Sequence, residues 1–374
     1  MKYYLIAGEA SGDLHGSHLM KALKLEDDGA EFRFLGGDLM IAEGGDLVKH
    51  YSEMAFMGFV EVLANLPKIL KNLKQTKADL LENKPDALVL IDFPGFNLKI
   101  AEFAKKNGIK VFYYISPKVW AWNQKRVLKI KKVVDQLFCI LPFEVEFYRS
   151  WGMEVDYVGN PLLDAIAEFR EDEHFRLSNS LGEKAIIALL PGSRDQEIKK
   201  ILPDMLGVIP KFSNYQFVIA GAPGFTEEYY KKITKDLHVP VVYNQTYDLL
   251  KNSDAAVVTS GTATLETALL DVPQVVVYKA NAISIAIAKL LVSIKFISLV
   301  NLIMDKQVVK ELIQRDCNPS LIALELNAIL HDPLCRTQML IDYQQLSERM
   351  GEPGASKKTA SLIFDTLSQP KSYS

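Results

Sequence analysis

Nine short runs in this chain are apolar almost from end to end: YYLIAG, ALVLID, KVFYYIS and QLFCIL in the first half, then AIIALLPG, FVIAGAPG, VPVVY, AAVVTSG and QVVVYK. A strand with one wet face alternates apolar and polar residues. A run without alternation suits a parallel strand covered on both faces. Amphipathic segments of helix length separate the runs, so the pattern predicts two βα series, each a doubly wound parallel sheet. The linking stretch VGNPLLDAI and the charge-rich AEFREDEHFRLSNSLGEK place a domain boundary near residue 165. The expected division is a Rossmann-like domain over 1–165, a second over 166–345 and a helical tail over 346–374. In that tail the turn GEPG separates IDYQQLSERM from ASKKTASLIFDTL, and the last helix must pack on the first domain or on another subunit. Ligands of such sheets bind outside the carboxyl ends of the strands, so a cleft between facing halves is the expected site.

Bulk properties narrow the function. A net charge of -3 over 374 residues lacks the basic excess that nucleic-acid binding needs. Cys139, Cys317 and Cys335 are far apart and form no C-x-x-C pair, which favours a reducing cytoplasm. The chain passes from Met-Lys directly into a strand-like run with no signal-peptide pattern. The apolar stretch 281–304 is divided by Lys289 and Lys295, and a lysine near the bilayer centre is costly, so it reads as a buried or cleft-lining helix.

Four motifs at strand ends could carry chemistry. AGEASGDLHG, residues 7–16, places Gly8, Gly12 and Gly16 around Ser11 and Asp13, as expected of a loop that lets backbone approach a ligand. In VVTSGTATLETALL, Ser260, Gly261 and Thr262 open a helix whose unpaired N–H groups suit a diphosphate, and Glu266 follows one turn later, within reach of a ribose diol. An ordinary capped helix with an exposed acid would read the same. In ALLPGSRDQE, Pro191 and Gly192 turn the chain and Arg194 could neutralise charge on a departing diphosphate, or simply pair with Asp195 or Glu197. Both loops in one domain favour a nucleotide-diphosphate site. In LVLIDFPGFNLKI, Asp92 ends a strand, as a base for an incoming hydroxyl or as an N-cap; the spacing fits both.

Metal signals are weak. His15 and His18 stand three apart without further ligands and no D-x-D pair occurs, so leaving-group stabilisation is expected from helix dipoles and Arg194, without a metal. Residues 53–77 crowd Met54, Phe56, Met57, Phe59, Val60, Val62, Leu63 and Leu66 ahead of Lys68, Lys71, Lys74 and Lys77. An interfacial element on an anionic bilayer would look like this, and so would a helix with one buried face and solvated lysines.

Together these residues resemble the lipid A disaccharide synthase family, inverting glycosyltransferases of lipopolysaccharide assembly. The likeness runs through AGEASGD, MGFVEVL, SPKVWAW at 116–122, QKR at 124–126, LPFE at 141–144, VGNP at 158–161, LPGSR at 190–194 and SGTATLE at 260–266. The resemblance implies a GT-B fold, with the C-terminal helix packed back or exchanged in a homodimer. It implies condensation of UDP-2,3-diacylglucosamine with 2,3-diacylglucosamine 1-phosphate (lipid X), giving a β-1,6 disaccharide 1-phosphate and UDP, with no cofactor and no nucleic-acid partner. Asp92 and Arg194 are then the catalytic expectation. Gly192, Ser193, Ser260, Gly261, Thr262, Ala263, Thr264, Glu266, Asn301, Glu311 and Gln314 are expected around the nucleotide and sugar. Glu9, Ser11, Gly12, Asp13, Ser116 and Trp120 are expected on the acceptor side. The segment with Met57, Phe59, Val60, Leu63, Leu66, Lys68 and Lys71 would touch the cytoplasmic face of the inner membrane, where the enzyme would sit peripherally.

The chain departs from the family pattern where Gly95 replaces a second acid in DFPGFN, where Val300 and Lys310 stand in place of prolines, and in GGDLM at 36–40. Other readings of the fold are a UDP-N-acetylglucosamine 2-epimerase, a peptidoglycan-type glycosyltransferase, or a UDP-sugar binder that has lost catalysis. SPKVWAW and the apolar 54–66 stretch argue against the epimerase. Asp92 together with both phosphate loops argues against the binder.

Overall fold

The computed structural model describes residues 1–54, 66–121, 123–235, 237–280 and 295–369. They form two compact units, one comprising Met1–Asp164 and the chain from Glu352 onward, the other Ala165–Gly351.

In the first unit, β1 (Lys2–Ala7), β2 (Glu31–Gly36), β3 (Asp46–His50), β4 (Ala87–Ile91), β5 (Lys110–Tyr114), β6 (Gln136–Cys139) and β7 (Asp156–Tyr157) make one sheet in the order β3-β2-β1-β4-β5-β6-β7. In the second, β8 (Ala185–Leu190), β9 (Tyr215–Gly221), β10 (Val241–Tyr243), β11 (Ser253–Thr259), β12 (Gln274–Tyr278) and β13 (Lys310–Ile313) are ordered β10-β9-β8-β11-β12-β13. Every ladder among the described residues is parallel. Each order reverses once, between β1 and β4 and between β8 and β11. Those reversals are the topological switch points at which doubly wound sheets open a crevice.

The unalternating runs have the expected cause. Along β1, Tyr4 and Ile6 enter one apolar core while Tyr3, Leu5 and Ala7 enter another on the opposite face, and β4 divides in the same way, Leu88 and Leu90 against Ala87, Val89 and Ile91. Strands β2, β3, β7 and β13 were not among the runs marked in the sequence. β3, β7 and β13 are edge strands with partly exposed side chains, and β2 starts with exposed Glu31 and half-buried Arg33. Their apolar signal is interrupted for that reason.

The tail divides differently from the sequence expectation. Helix Pro333–Met350 belongs to the second unit, the chain turns at Gly351 and Gly354, both at positive φ, and helix Ala355–Ser368 returns to the first unit. There it packs along helix Ala10–Glu26, and Ala360 and Ile363 complete the core that holds Leu19, Leu23 and Phe112. The Asp164 carboxylate anchors its start by accepting the Gly354 N–H. Removing a fully buried Ile363 side chain leaves a cavity, so Ile363→Ala is expected to cost about 2–5 kcal/mol of first-unit stability. Chemical denaturation followed by a probe in that unit measures it.

Candidate functional site

At the first switch point, register Ala7↔Ile91 brings the ends of β1 and β4 side by side. AGEASGDLHG is not a loop here. Only Gly8 and Glu9 intervene before the helix starts at Ala10, so Ser11, Gly12, Asp13 and Gly16 are helical. Packing accounts for the glycine spacing: a Cβ at Gly8 would enter the Phe93 ring, one at Gly12 would stand 3.2 Å from Ala7 Cβ, and one at Gly16 would stand 2.6 Å from Met40 Sδ. The helix can then lie close on the sheet. Asp13 is buried, and its carboxylate accepts N–H bonds from Gly37 (2.7 Å), Leu39 and Met40 (both 3.1 Å). It caps helix Asp38–Ala42, whereas Ser11 is exposed and Glu9 partly so at the helix start.

Asp92 follows β4 with φ of 42°, and Phe93 with φ of 49°. Helix Pro94–Lys106 is capped at Phe93 without a side-chain bond, so Asp92 is not its N-cap. The Asp92 carbonyl is held twice, by Asn97 Nδ2 at 2.8 Å and Tyr113 Oη at 2.6 Å. Burial raises the Asp92 pKa above the ordinary aspartate value, against partial opposition from Lys118 and the Phe93 N–H. At Gly95 a side chain would meet open space, so the missing second acid is not a packing requirement.

Ser116 and Trp120 turn inward. Ser116 Oγ donates to Glu144 Oε1 at 2.7 Å and Trp120 Nε1 donates at 3.1 Å. The other oxygen, Oε2, takes the N–H groups of Ile140 and Leu141. SPKVWAW and LPFE are thus two sides of one buried junction. Burial moves the Glu144 pKa up from 4.5 to about 7 despite these donors. Trp122, Met57, Phe59, Val60 and Leu63 lie outside the described residues, whereas Leu66, Lys68 and Lys71 are exposed at the start of helix Leu66–Asn83. Two open hollows of about 500 and 550 Å³ flank helix Pro94–Lys106, one lined by Lys74, Lys77 and Lys99, the other by Lys125, Lys129 and Lys132.

At the second switch point β8 and β11 pair, so their carboxyl ends lie side by side. A Cβ at Gly192, whose φ is 101°, would lie 2.8 Å from Glu197 Oε2 and 3.5 Å from Thr259 Cγ2. Ser193, Arg194, Gly261 and Thr262 are exposed there, and Arg194 pairs with Glu197 at 3.3 Å. Among the described residues helix Thr262–Leu269 opens at Gly261 without a side-chain cap, which leaves the N–H groups of Thr262 and Ala263 for an anion. Ala263 and Thr264 face inward, Thr264 fully buried. Glu266 accepts the Tyr247 hydroxyl at 2.9 Å, and burial raises its pKa.

The positions expected near the sugar form a latch. Asn301, fully buried, accepts the N–H groups of Val308 and Val309 and donates to Val309 O and Glu311 Oε1. Glu311 also takes the N–H groups of Ile297 and Ser298, while Ser260 Oγ donates to Ile297 O. Gln314 differs, with φ of 59° and a buried Nε2 that has no partner among the described residues. Thr259, absent from the sequence expectation, likewise buries at the end of β11 an Oγ1 without a partner among the described residues. A threonine at a strand end carries no distinctive sequence signal. Asn97, Tyr113 and Glu144 were missed as well, since their bonds join distant elements. Among the described residues no cluster of three or more acidic, histidine or cysteine side chains could hold a metal.

A family model described as Lipid-A-disaccharide synthetase matches residues 3–364. The lipid-A-disaccharide synthase of Syntrophus aciditrophicus (strain SB) is 42% identical over 97% of this chain and 97% of its own length. That of Myxococcus xanthus (strain DK1622) is 38% identical with the same coverage of both. In fold the chain is similar to the S. aureus MnaA–UDP co-structure, with TM-score 0.69, 13% identity and full coverage of both chains. It is also similar to the Neisseria meningitidis UDP-GlcNAc 2-epimerase bound to UDP-GlcNAc, with TM-score 0.64, 13% identity and 98% and 99% coverage. At that identity the structural likeness speaks to the two-domain α/β architecture of GT-B proteins.

The buried Glu144 sets a pH dependence. Its folded pKa lies above the unfolded value, so folding binds a proton between pH 4.5 and about 7. The stability of the wild type relative to Glu144→Gln should therefore fall across that window, by about 3 kcal/mol, and level off above it. Denaturation midpoints of both proteins at several pH values measure the slope.

Proposed function

The chain belongs to the lipid-A-disaccharide synthase family, and from that premise we propose that it condenses UDP-2,3-diacylglucosamine with 2,3-diacylglucosamine 1-phosphate. The observation that carries the mechanism is Asp92 at the first switch point, a carboxylate at the end of β4 whose burial raises its pKa and so its basicity. Asp92 takes the proton of the acceptor 6-hydroxyl as that oxygen attacks the anomeric carbon. The bond from that carbon to the diphosphate breaks with its electron pair leaving on UDP. A single displacement inverts the anomeric centre.

The second unit serves the leaving group. The uncapped start of helix Thr262–Leu269 and the exposed Arg194 meet a diphosphate, with Arg194 exchanging its surface pairing with Glu197 for phosphate oxygens. Such an exchange is cheap, because an exposed ion pair contributes little. This donor set stabilises charge without a divalent ion. Glu266 and Gln314 are assigned to the donor nucleotide or sugar, and Glu9 and Ser11 to the acceptor.

The acyl chains of both substrates call for contact with a membrane. No helix among the described residues is long and apolar enough to cross one. We assign a peripheral position on the cytoplasmic face of the inner membrane, supported by exposed Leu66 and Leu70 beside Lys68, Lys71 and Lys74 and by the lysine-lined hollow that Leu70 and Lys74 border. A homodimer by exchange of helix Ala355–Ser368 is part of the same proposal.

UDP release from UDP-2,3-diacylglucosamine, without added metal, tests the reaction. Release is expected to require 2,3-diacylglucosamine 1-phosphate and to fall about 10²–10⁴-fold in Asp92→Ala. Release without the acceptor, or none across several acyl lengths, would overturn the assignment.

A further inference from the structure

Two consecutive residues in the left-handed region are unusual when neither is glycine, and a phenylalanine there is an outlier. Asp92 and Phe93 form such a pair, and for a residue with a Cβ the left-handed conformation is strained. The surrounding structure must therefore enforce it. Three contacts do so. Asn97, wholly buried one turn into the next helix, directs Nδ2 to the Asp92 carbonyl at 2.8 Å and to the Ile91 carbonyl at 3.3 Å. Tyr113, wholly buried on the neighbouring strand β5, directs Oη to the same Asp92 carbonyl at 2.6 Å. The Phe93 ring lies in space that only a glycine at position 8 leaves open.

We propose that Asn97 and Tyr113 are positioning residues for the reaction, clamping the Asp92 carbonyl so that the strained turn presents the carboxylate in its catalytic orientation. The inference rests on Asp92 acting as the base. An ordinary strand-to-helix turn needs no paired donors on one carbonyl. A strained turn does, because either residue could return to an extended or right-handed conformation and rotate the carboxylate away. The clamp acts on the backbone and leaves the side-chain oxygens for the substrate. Lys118, the charged side chain whose field lowers the Asp92 pKa, lies in the loop after β5 and is not part of the clamp.

Tyr113→Phe and Asn97→Leu remove the donors while keeping side-chain volume. In the same UDP-release assay, each is expected to lower kcat about ten- to hundredfold with KM for both substrates within twofold. The acid limb of the kcat profile should also move to lower pH, because a released turn lets water reach the carboxylate. The double variant should be little worse than the weaker single, since both donors hold one carbonyl. A purely structural role would lower Tm and leave the kcat pH profile unmoved. Folded Tyr113→Phe with wild-type kcat and an unmoved acid limb overturns the clamp, and it decides alone if Asn97→Leu does not fold. Asp92→Ala run alongside separates the two levels: an inactive Asp92→Ala beside fully active clamp variants sinks the clamp only, whereas an active Asp92→Ala sinks the role of Asp92 and the clamp with it.

Discussion

The ladder between β1 and β4 governs the first unit, as the ladder between β8 and β11 governs the second. Each joins strands far apart in the chain, with a hairpin-free series of parallel crossovers between them, and each brings the loops after its two strands to the same carboxyl end of its sheet. The motifs with the strongest chemical content stand at those four strand ends: AGEASGD after β1, DFPGFN after β4, LPGSR after β8 and SGTATLE after β11. Because parallel strands need crossovers of a dozen residues or more, the chain brings such loops together only through the sheet order.

Buried polar side chains then set the shape of each edge. Glu144 gathers two side-chain and two backbone donors, Asn301 and Glu311 tie residues 297–301 to the start of β13, and Asn97 with Tyr113 holds the turn at Asp92. A buried polar group left unpaired costs about 1–3 kcal/mol, so each of these arrangements discriminates strongly against alternative loop conformations. Several positions with a motif resemblance serve in this way. Asp13, Ser116 and Trp120 spend their polar atoms on other loops, while Ser11, Arg194 and Thr262 keep theirs at the surface.

The apolar runs, read alone, identified both parallel sheets, because a strand buried on two faces must be apolar at every position. The residue types of two loops made a nucleotide-diphosphate site legible, whereas the reaction class came from the family resemblance of the motifs taken together. Edge strands β3, β7 and β13 escaped notice since half their side chains meet water, and the glycines of AGEASGDLHG suggested a ligand loop where helix-to-sheet packing required them. Spacing in sequence cannot separate those causes, because both demand a missing Cβ.

What the amino-acid sequence determined by itself was the pattern of burial: two βα series, their motifs at strand ends and a final amphipathic helix. Tertiary structure alone decided that this last helix completes the first core, that Asp92 is not an N-cap, and that Glu144 joins SPKVWAW to LPFE. The physical reason is range. Apolar periodicity is written in neighbouring residues, whereas a hydrogen bond from Tyr113 to Asp92, or from Ser116 to Glu144, exists only after the strands between them have paired.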